Sequence, residues 1–129
     1  MAEYNATVTN GSREFKARER IRLKDEKLHT PLKNILVAGT DEGLEINVQD
    51  YAIVHVENPH SSRAQEYDYI VLMDTEGNTY ATGSSSFRES FLGIFNEMRE
   101  EEPEQPVLIK VYGRPSKNYE SGFLTCSLV

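Results

Sequence analysis

Residues 67–98, YDYIVLMDTEGNTYATGSSSFRESFLGIFNEM, contain the change of hydrophobic period that decides the fold. The run YDYIVLM is rich in aromatic and β-branched residues and predicts a strand. Gly77 supplies the positive φ that the tight turn Glu76–Asn78 needs, and NTYAT predicts the returning strand of a hairpin. The segment therefore begins with two antiparallel strands.

The residues after this hairpin follow the period of a helix. Apolar side chains recur at i, i+4, i+7, i+8 and i+11, which places on one helix face Phe87, Phe91, Ile94, Phe95 and Met98. Ser86, three residues before Glu89, predicts a capping box, and Pro103 ends the element. One amphipathic helix is therefore predicted after the hairpin.

Apolar runs on both sides of this segment predict further strands. They are KNILVAGT at 33–40, LEINVQDYAIVHVEN at 44–58, VLIKVY at 107–112 and FLTCSLV at 123–129. The run at 44–58 is long enough to be one strand with a bulge near Gln49 and Asp50, or two strands that meet there.

The order of these elements predicts a mostly β fold with one helix. No strand–helix–strand repeat occurs, which disfavours a doubly wound parallel sheet. Three meandering strands, a helix and two strands are the order of the OB-fold, a five-stranded Greek-key barrel with the helix between strands 3 and 4. The order also fits another small α+β barrel, whereas a pleckstrin-like barrel would carry its helix last.

Charge is distributed unevenly along the 129 residues. Residues 1–33 carry eight Lys/Arg and five Asp/Glu (+3), residues 34–129 carry six and sixteen (-10), and the sum is the net charge of -7. We predict a basic, partly flexible N-terminal arm over 1–28 and an OB-fold-like domain over 29–129. An acidic chain repels polyanions at long range, so a nucleic-acid site would need locally concentrated cations.

Composition indicates a cytoplasmic protein with no membrane partner. No apolar run approaches the ~18 residues that span a bilayer, and the N-terminus has no basic-then-apolar signal pattern. The lone Cys126 cannot form an internal disulfide, and in an apolar run it is expected to be a small buried hydrophobe.

The sequence contains no pattern typical of catalysis or metal binding. The histidines His29, His55 and His60 are scattered, and Pro59 rules out a helical metal motif between the last two. The serines at 84–86 precede the predicted helix, and a helix cap explains them better than a nucleophile because the G-x-S-x-G spacing is missing. We predict no catalytic residue, no metal and no cofactor.

Two tyrosines predict a nucleic-acid-binding face. Alternation in YDYIVLM places Tyr67 and Tyr69 on one face of the strand, and Ile70 and Leu72 on the other. If Ile70 and Leu72 face the core, the tyrosines form an exposed platform; otherwise they are edge-of-core residues with their hydroxyls in water. Single strands bind such platforms by stacking, worth ~1–3 kcal/mol per base, together with cations that contact phosphates.

Cations lie in the loops that flank the binding face of an OB-fold. Arg63 precedes the tyrosine strand, and the loop between the last two strands carries Arg114, Lys117 and Tyr119. Tyr112, in VLIKVY, is a further candidate for stacking. These residues complete a predicted single-stranded DNA site.

Two segments, residues 67–98 and IKVYGRPSKNYESGFLTCSLV, resemble the small OB-fold single-stranded DNA-binding proteins of Gram-positive phages and conjugative elements. The resemblance covers roughly residues 35–129, and YATGSSSF and the PSKNY…FLTCS ending are its most specific parts. It implies that the protein coats single-stranded DNA, with little sequence preference, during phage or plasmid replication in a bacterial host. It also implies contacts from Lys117, Asn118 and Tyr119, and from Tyr69. The apolar ending departs from the acidic tail of many bacterial relatives of this kind.

Other partners and functions stay open. The sequence is compatible with a homo-oligomer and with contacts to replication proteins. A second class of function is an acidic interaction module that inhibits a host protein through the acidic residues at 100–104. An enzyme ranks last, because no acid–base pair or metal set can be named.

Overall fold

The computed structural model describes residues 5–32, 43–58, 65–114 and 123–129. In this part of the chain the elements are β1 Asn5–Gly11, α1 Ala17–Leu23, β2 Thr30–Pro31, β3 Leu44–Asn58, β4 Gln65–Asp74, β5 Thr79–Thr82, α2 Ser85–Glu101, β6 Val107–Arg114 and β7 Phe123–Leu128, with a 3₁₀ turn at Glu26–Leu28. The fold is mostly β, as predicted, and the sheet curls like part of a barrel. Neither α-helix of the described residues has the length and apolar character needed to cross a membrane.

All seven strands of the described residues belong to one sheet, with the order β2-β5-β4-β3-β6-β7 and β1 paired to β3. β3 lies at its centre and is 15 residues long. Its first residues pair with β6 and its later ones with β1, while β4 pairs with it from Val48 to Asn58. The register shifts between Val48 and Asp50, which confirms the predicted bulge. A bulge bends a strand and increases its twist, so β3 can turn between two sets of partners.

The β4–β5 hairpin forms as predicted. Gly77 has φ 92, and the Asp74 side chain accepts hydrogen bonds from the backbone N–H groups of Glu76 at 2.9 Å and Asn78 at 2.8 Å. A Cβ at Gly77 would meet no atom within 4 Å, so the glycine is required by its backbone conformation and not by space.

The first core lies between α2 and one face of the sheet. Phe87 and Phe91 are fully buried and Phe95 is 1% exposed, which confirms the predicted helix face. Tyr51 on β3 presents its ring edge-on to Phe91, with centroids 5.6 Å apart, and to Phe95, 5.3 Å apart. Cys126 is buried here, as predicted, and burial raises the pKa of its thiol to about 12.

The start of α2 differs from the prediction by two residues. The N-cap is Ser84, whose Oγ accepts a hydrogen bond from the backbone N–H of Phe87 at 3.2 Å. Ser86, the predicted cap, instead donates to the carbonyl of Leu124 on β7 at 3.2 Å. The predicted capping box with Glu89 is therefore wrong, because the helix begins before Ser86.

The first 32 residues account for the elements that the sequence did not predict. With β1, α1 and β2 the described chain has seven strands and two α-helices, whereas the predicted OB-fold has five strands and one helix. α2 consequently lies between the fifth and sixth strands of this part of the chain, and not between the third and fourth. The strand predicted at 33–40 lies outside the described residues.

These N-terminal residues build a second core on the other face of the sheet. Its buried members are Phe15, Leu23, Ala52, Val54, Val56, Tyr69, Val71 and Ala81. β1 also joins the sheet, with Asn5 opposite Glu57. The few apolar side chains of this charged segment therefore cover an apolar strand face, while the predicted division into an arm over 1–28 and a domain over 29–129 stays a prediction.

An ion-pair network holds the end of β1 beside α1. Arg13 pairs with Glu19 and, at 3.1 Å, with Asp50 at the bulge of β3. The hydrogen bond from Arg13 is the largest cause that lowers the pKa of Glu19 to about 2, followed by the backbone N–H of Lys16, which donates to Glu19 at 3.0 Å. Glu19 is therefore ionised in the folded protein at far lower pH than in the unfolded chain.

The depressed pKa of Glu19 predicts a loss of stability in acid. Because its folded pKa lies below its unfolded value near 4.5, its contribution is present above that value and disappears as the pH falls towards 2. The free energy of unfolding should therefore fall less between pH 5 and pH 2 in Glu19→Gln than in the wild type. We expect a difference of less than about 1 kcal/mol, since Arg13 and Glu19 are both accessible to solvent. Urea denaturation across this range measures the slope. Glu89→Gln on α2 is the matched control, and equal slopes for both variants would contradict the prediction.

Candidate nucleic-acid interface

Tyr69, a predicted stacking residue, lies inside the second core. Its side chain is 1% exposed, and its hydroxyl donates a hydrogen bond to the carbonyl of Leu23 at 2.6 Å. Ile70 and Leu72, on the other face of β4, are fully buried in the first core, which was the condition for an exposed platform of tyrosines. Both faces of this part of β4 are therefore covered, and the ring of Tyr69 is not accessible to a base in this structure.

The N-terminal segment is what covers the face of Tyr69. Leu23 ends α1, and its carbonyl accepts from Tyr69 and also from Nε2 of His29 at 3.2 Å. His29 Nδ1 lies 2.7 Å from the Oγ1 of Thr79 on β5. A carbonyl oxygen can only accept a hydrogen bond, so His29 Nε2 is the donor to Leu23. These bonds attach the segment across β4 and β5.

β2 continues this cover along the edge of the sheet. It pairs in parallel with β5, with Thr30 opposite Tyr80 and Pro31 opposite Ala81. The backbone N–H of Leu32 donates to the carbonyl of Ala81 at 3.0 Å, and Leu32 is buried in the first core. The outer face of β4 and β5 is thus occupied by the chain itself.

Tyr67, the second tyrosine of the predicted platform, is accessible. It is 44% exposed, and its hydroxyl donates to Oε1 of Glu26 at 3.0 Å. Its ring centroid lies 6.5 Å from that of Tyr69, at the margin of the second core. One of the two predicted platform residues therefore reaches the surface.

Many basic residues lie on α1 and immediately beside it in the sequence. Residues 13–27 contain seven Lys/Arg and four Asp/Glu. Arg13 is paired with acidic groups, and Arg20 donates to the carbonyl of Phe15. Arg18 and Arg22 are exposed and, within the described residues, make no ion pair. They are four residues apart and therefore lie on one face of the helix, together with Ile21, which is 65% exposed.

The remaining predicted residues lie elsewhere or outside the described chain. Tyr112 is half-buried on β6, opposite Thr125. Val111, the residue before Tyr112, pairs with Leu44 of β3, whereas Tyr67 pairs with Val56 of β3. Leu44 and Val56 are twelve residues apart. That separation corresponds to about 40 Å of strand. The structure thus does not bring Tyr67 and Tyr112 into one patch.

Of the loop residues, only the backbone of Arg114 is described, where it pairs with Phe123 at the end of β6. The others predicted to contact DNA lie outside the described residues and comprise Arg63, Lys117, Asn118 and Tyr119. Their role stays a prediction.

The pairing of β3 with β4 also places four polar side chains together that the sequence did not connect. They are His55, Glu57, Glu66 and Asp68. A hydrogen bond to Asp68 is the main cause that raises the pKa of His55. Two of them lie on each strand, and the strand register brings the two pairs together.

Comparison with protein families, with characterised proteins and with solved structures finds no match to this chain.

Proposed function

We propose that this protein binds single-stranded DNA with little sequence preference, through stacking and phosphate contacts, as an OB-fold-like protein of phage or mobile-element replication in a bacterial host. In this proposal β3, β4, β5, β6 and β7 are the five barrel strands, and β1 and β2 are additions from the N-terminal segment.

The pattern of strand pairing is the observation that carries the proposal. A long bulged strand, β3, pairs with both β4 and β6; β4 forms a hairpin with β5; α2 follows; and β6 pairs with β7. Three meandering strands, a helix and two strands that share the first strand agree with a partly open five-stranded Greek-key barrel of the OB type. In the described chain β5 pairs with β2 and not with β7, so the barrel is open at that point. Such barrels commonly bind oligonucleotides.

Because the N-terminal segment covers the outer face of β4 and β5, we place the proposed DNA path on the surface of that segment and on the neighbouring end of β4. Exposed Arg18 and Arg22 lie on α1, which packs on this face, and Tyr67 borders the same cover through its bond to Glu26. Here cations for phosphates and a ring for stacking occur on one side of the sheet, as single-strand binding needs. The contacts predicted from Arg63 and Lys117 stay part of this proposal, and both residues lie outside the described chain.

Binding of a labelled oligo-dT, followed by fluorescence anisotropy, tests the proposal. We expect binding to the single strand, little binding to the matching duplex, and an affinity that falls as salt rises. In Arg18→Ala/Arg22→Ala the slope of log K against log salt should become shallower by about 1.4, since each lost phosphate contact on a single strand contributes ~0.7. Arg88→Ala, which removes a cation from α2 on the other side of the sheet, should leave the slope unchanged.

Tyr67 allows stacking to be separated from its hydrogen bond. Tyr67→Ala should weaken binding by ~1–3 kcal/mol, the value of one stacked base, whereas Tyr67→Phe keeps the ring and should bind normally. Equal losses in both variants would contradict stacking. No binding to the single strand at low salt would overturn the proposed function.

A second function is favoured by the acidic end of α2. Glu100, Glu101, Glu102 and Glu104 are all exposed, and within the described chain none of them forms a salt bridge. The alternative is an interaction module that uses these carboxylates against a basic surface of a host protein. Absence of DNA binding would make this the leading hypothesis.

A further inference from the structure

Four side chains on one face of the β3–β4 pair form a cluster beyond the end of the first core. His55 lies directly opposite Asp68, and Glu57 lies directly opposite Glu66. The next pair along the strands, Ile53 and Ile70, belongs to the first core or packs against it. The cluster therefore lies on the same face of β3 and β4 as the first core, just beyond its end. The packing of that core fixes the backbone of the four residues.

His55 is oriented by one carboxylate and faces two others. Its Nδ1 is 2.7 Å from Oδ1 of Asp68, and because a carboxylate only accepts, Nδ1–H is the donor. Nε2 then lies 3.6 Å from Glu57 and 4.0 Å from Glu66. An imidazole held by a carboxylate through one nitrogen, with the other directed at further ligands, is the usual arrangement of a metal-binding histidine.

The spacing of the donor atoms fits a tetrahedral cation. Zn²⁺ lies about 2.1 Å from nitrogen and carboxylate oxygen, so neighbouring ligand atoms in a tetrahedron are about 3.4 Å apart. The two distances from Nε2 are close to this value, and the ligand atoms of His55, Glu57 and Glu66 all lie within 4.8 Å of one another. Small side-chain rotations would complete the geometry, since both glutamates are exposed.

The opposition of Glu57 and Glu66 is unfavourable by itself. Like charges directly across an antiparallel pair destabilise it. The protein has a net charge of -7, and no Lys or Arg in the described chain pairs with either carboxylate. A divalent cation between them would turn this repulsion into an attraction that joins the two strands.

We propose that His55 Nε2, Glu57 and Glu66 form a binding site for a divalent cation of the Zn²⁺ class, with Asp68 as the positioning residue for His55. The fourth tetrahedral position is left for water or for an oxygen of a bound ligand. The site joins β3 to β4 near the residues Asn58 and Gln65, where their pairing ends. Its existence does not depend on DNA binding.

The full chain, freed of metal with a chelator and then titrated with CoCl₂ or ZnCl₂, provides the test. We expect one Co²⁺ per chain with the strong visible absorption of four-coordinate cobalt, displacement of Co²⁺ by Zn²⁺, and a higher Tm with Zn²⁺. Glu57→Gln and Glu66→Gln should each abolish the cobalt absorption. Asp68→Asn should weaken Co²⁺ binding about 10–100-fold, as expected for a residue that orients a ligand.

Glu45→Gln is the matched control, because it removes an exposed carboxylate from the same strand at a position opposite Lys110. It should leave the cobalt spectrum and the Zn²⁺-dependent rise in Tm unchanged. Circular dichroism of each variant confirms that it is folded. Equal effects of Mg²⁺ and Zn²⁺ on Tm, or unchanged Co²⁺ binding in Glu57→Gln, would overturn the proposal and leave His55 as a partner of surface ion pairs only.

Discussion

Replacing Tyr69 with alanine should lower the free energy of unfolding by about 3–5 kcal/mol, as for other large aromatic side chains removed from a core. The ring is 1% exposed in the second core, and its hydroxyl is one of two donors to the Leu23 carbonyl. A loss of this size is a large part of the ~5–15 kcal/mol that stabilises an ordinary domain. Urea denaturation followed by circular dichroism measures it.

Tyr69→Phe is the control for this substitution. It keeps the ring and removes one hydrogen bond, while His29 still satisfies the Leu23 carbonyl, so we expect a loss of only about 1 kcal/mol. Tyr69→Ala should also loosen α1 and make its Lys/Arg-rich segment sensitive to trypsin under native conditions. A small effect of alanine on stability, with a large loss of DNA affinity, would instead mean that Tyr69 is exposed and stacks on bases.

Phe91→Ala should destabilise the first core by a similar amount, about 3–5 kcal/mol. Phe91 is fully buried and contacts Tyr51 edge-on as well as the rings of Phe87 and Phe95. Alanine would leave a cavity that these rings cannot fill without leaving their own contacts.

Leu92→Ala on the same helix is the comparison for Phe91→Ala. Leu92 is only partly buried and packs at the margin of the first core, so its removal should cost clearly less. Thermal and urea unfolding of both variants provide the measurement. Equal losses would show that α2 does not anchor the core through its phenylalanine face.

Local patterns in the sequence predicted the elements whose structure is determined locally. The Glu76–Asn78 turn, the bulge near Asp50 and the phenylalanine face of α2 depend on residues close together in the chain. Each combines a period of apolar residues with a turn or cap signal, so several local preferences agree. The cap at Ser84 was missed because three consecutive serines offer equivalent signals, and packing against β7 selected among them.

Long-range packing produced the parts that the sequence did not predict. α1 has seven residues and β2 has two, too short for a clear period, and both depend on contacts with β4 and β5. One signal was available: YIVLM is apolar at every position, which is typical of a strand covered on both faces. This interpretation would have placed Tyr69 in a core and would have required another segment of the chain to cover that face of β4.

The candidate sites differ in the same way. Alternation placed Tyr67 and Tyr69 on one face of β4, but it could not show that the N-terminal segment buries Tyr69 and leaves Tyr67 exposed. The proximity of His55 and Glu66 depends on the cross-strand register, which an unaligned sequence does not reveal. A metal motif within one helix, such as two histidines one turn apart, can be recognised from its spacing in the sequence. Metal ligands that come from two different strands cannot.

The cover formed by the N-terminal segment has a consequence for the order of events during synthesis. Leu23 and Tyr69 are 46 positions apart, and His29 and Thr79 are 50 apart, so the segment is made well before its partners. At ~5–20 residues per second, a ribosome needs about 3–10 s to add the missing strands. During this time Phe15 and Leu23 lack the part of the second core that β4 and β5 supply, namely Tyr69, Val71 and Ala81. The seven Lys/Arg between residues 13 and 27 surround them with charge, which discourages aggregation of the nascent chain until β4 and β5 emerge.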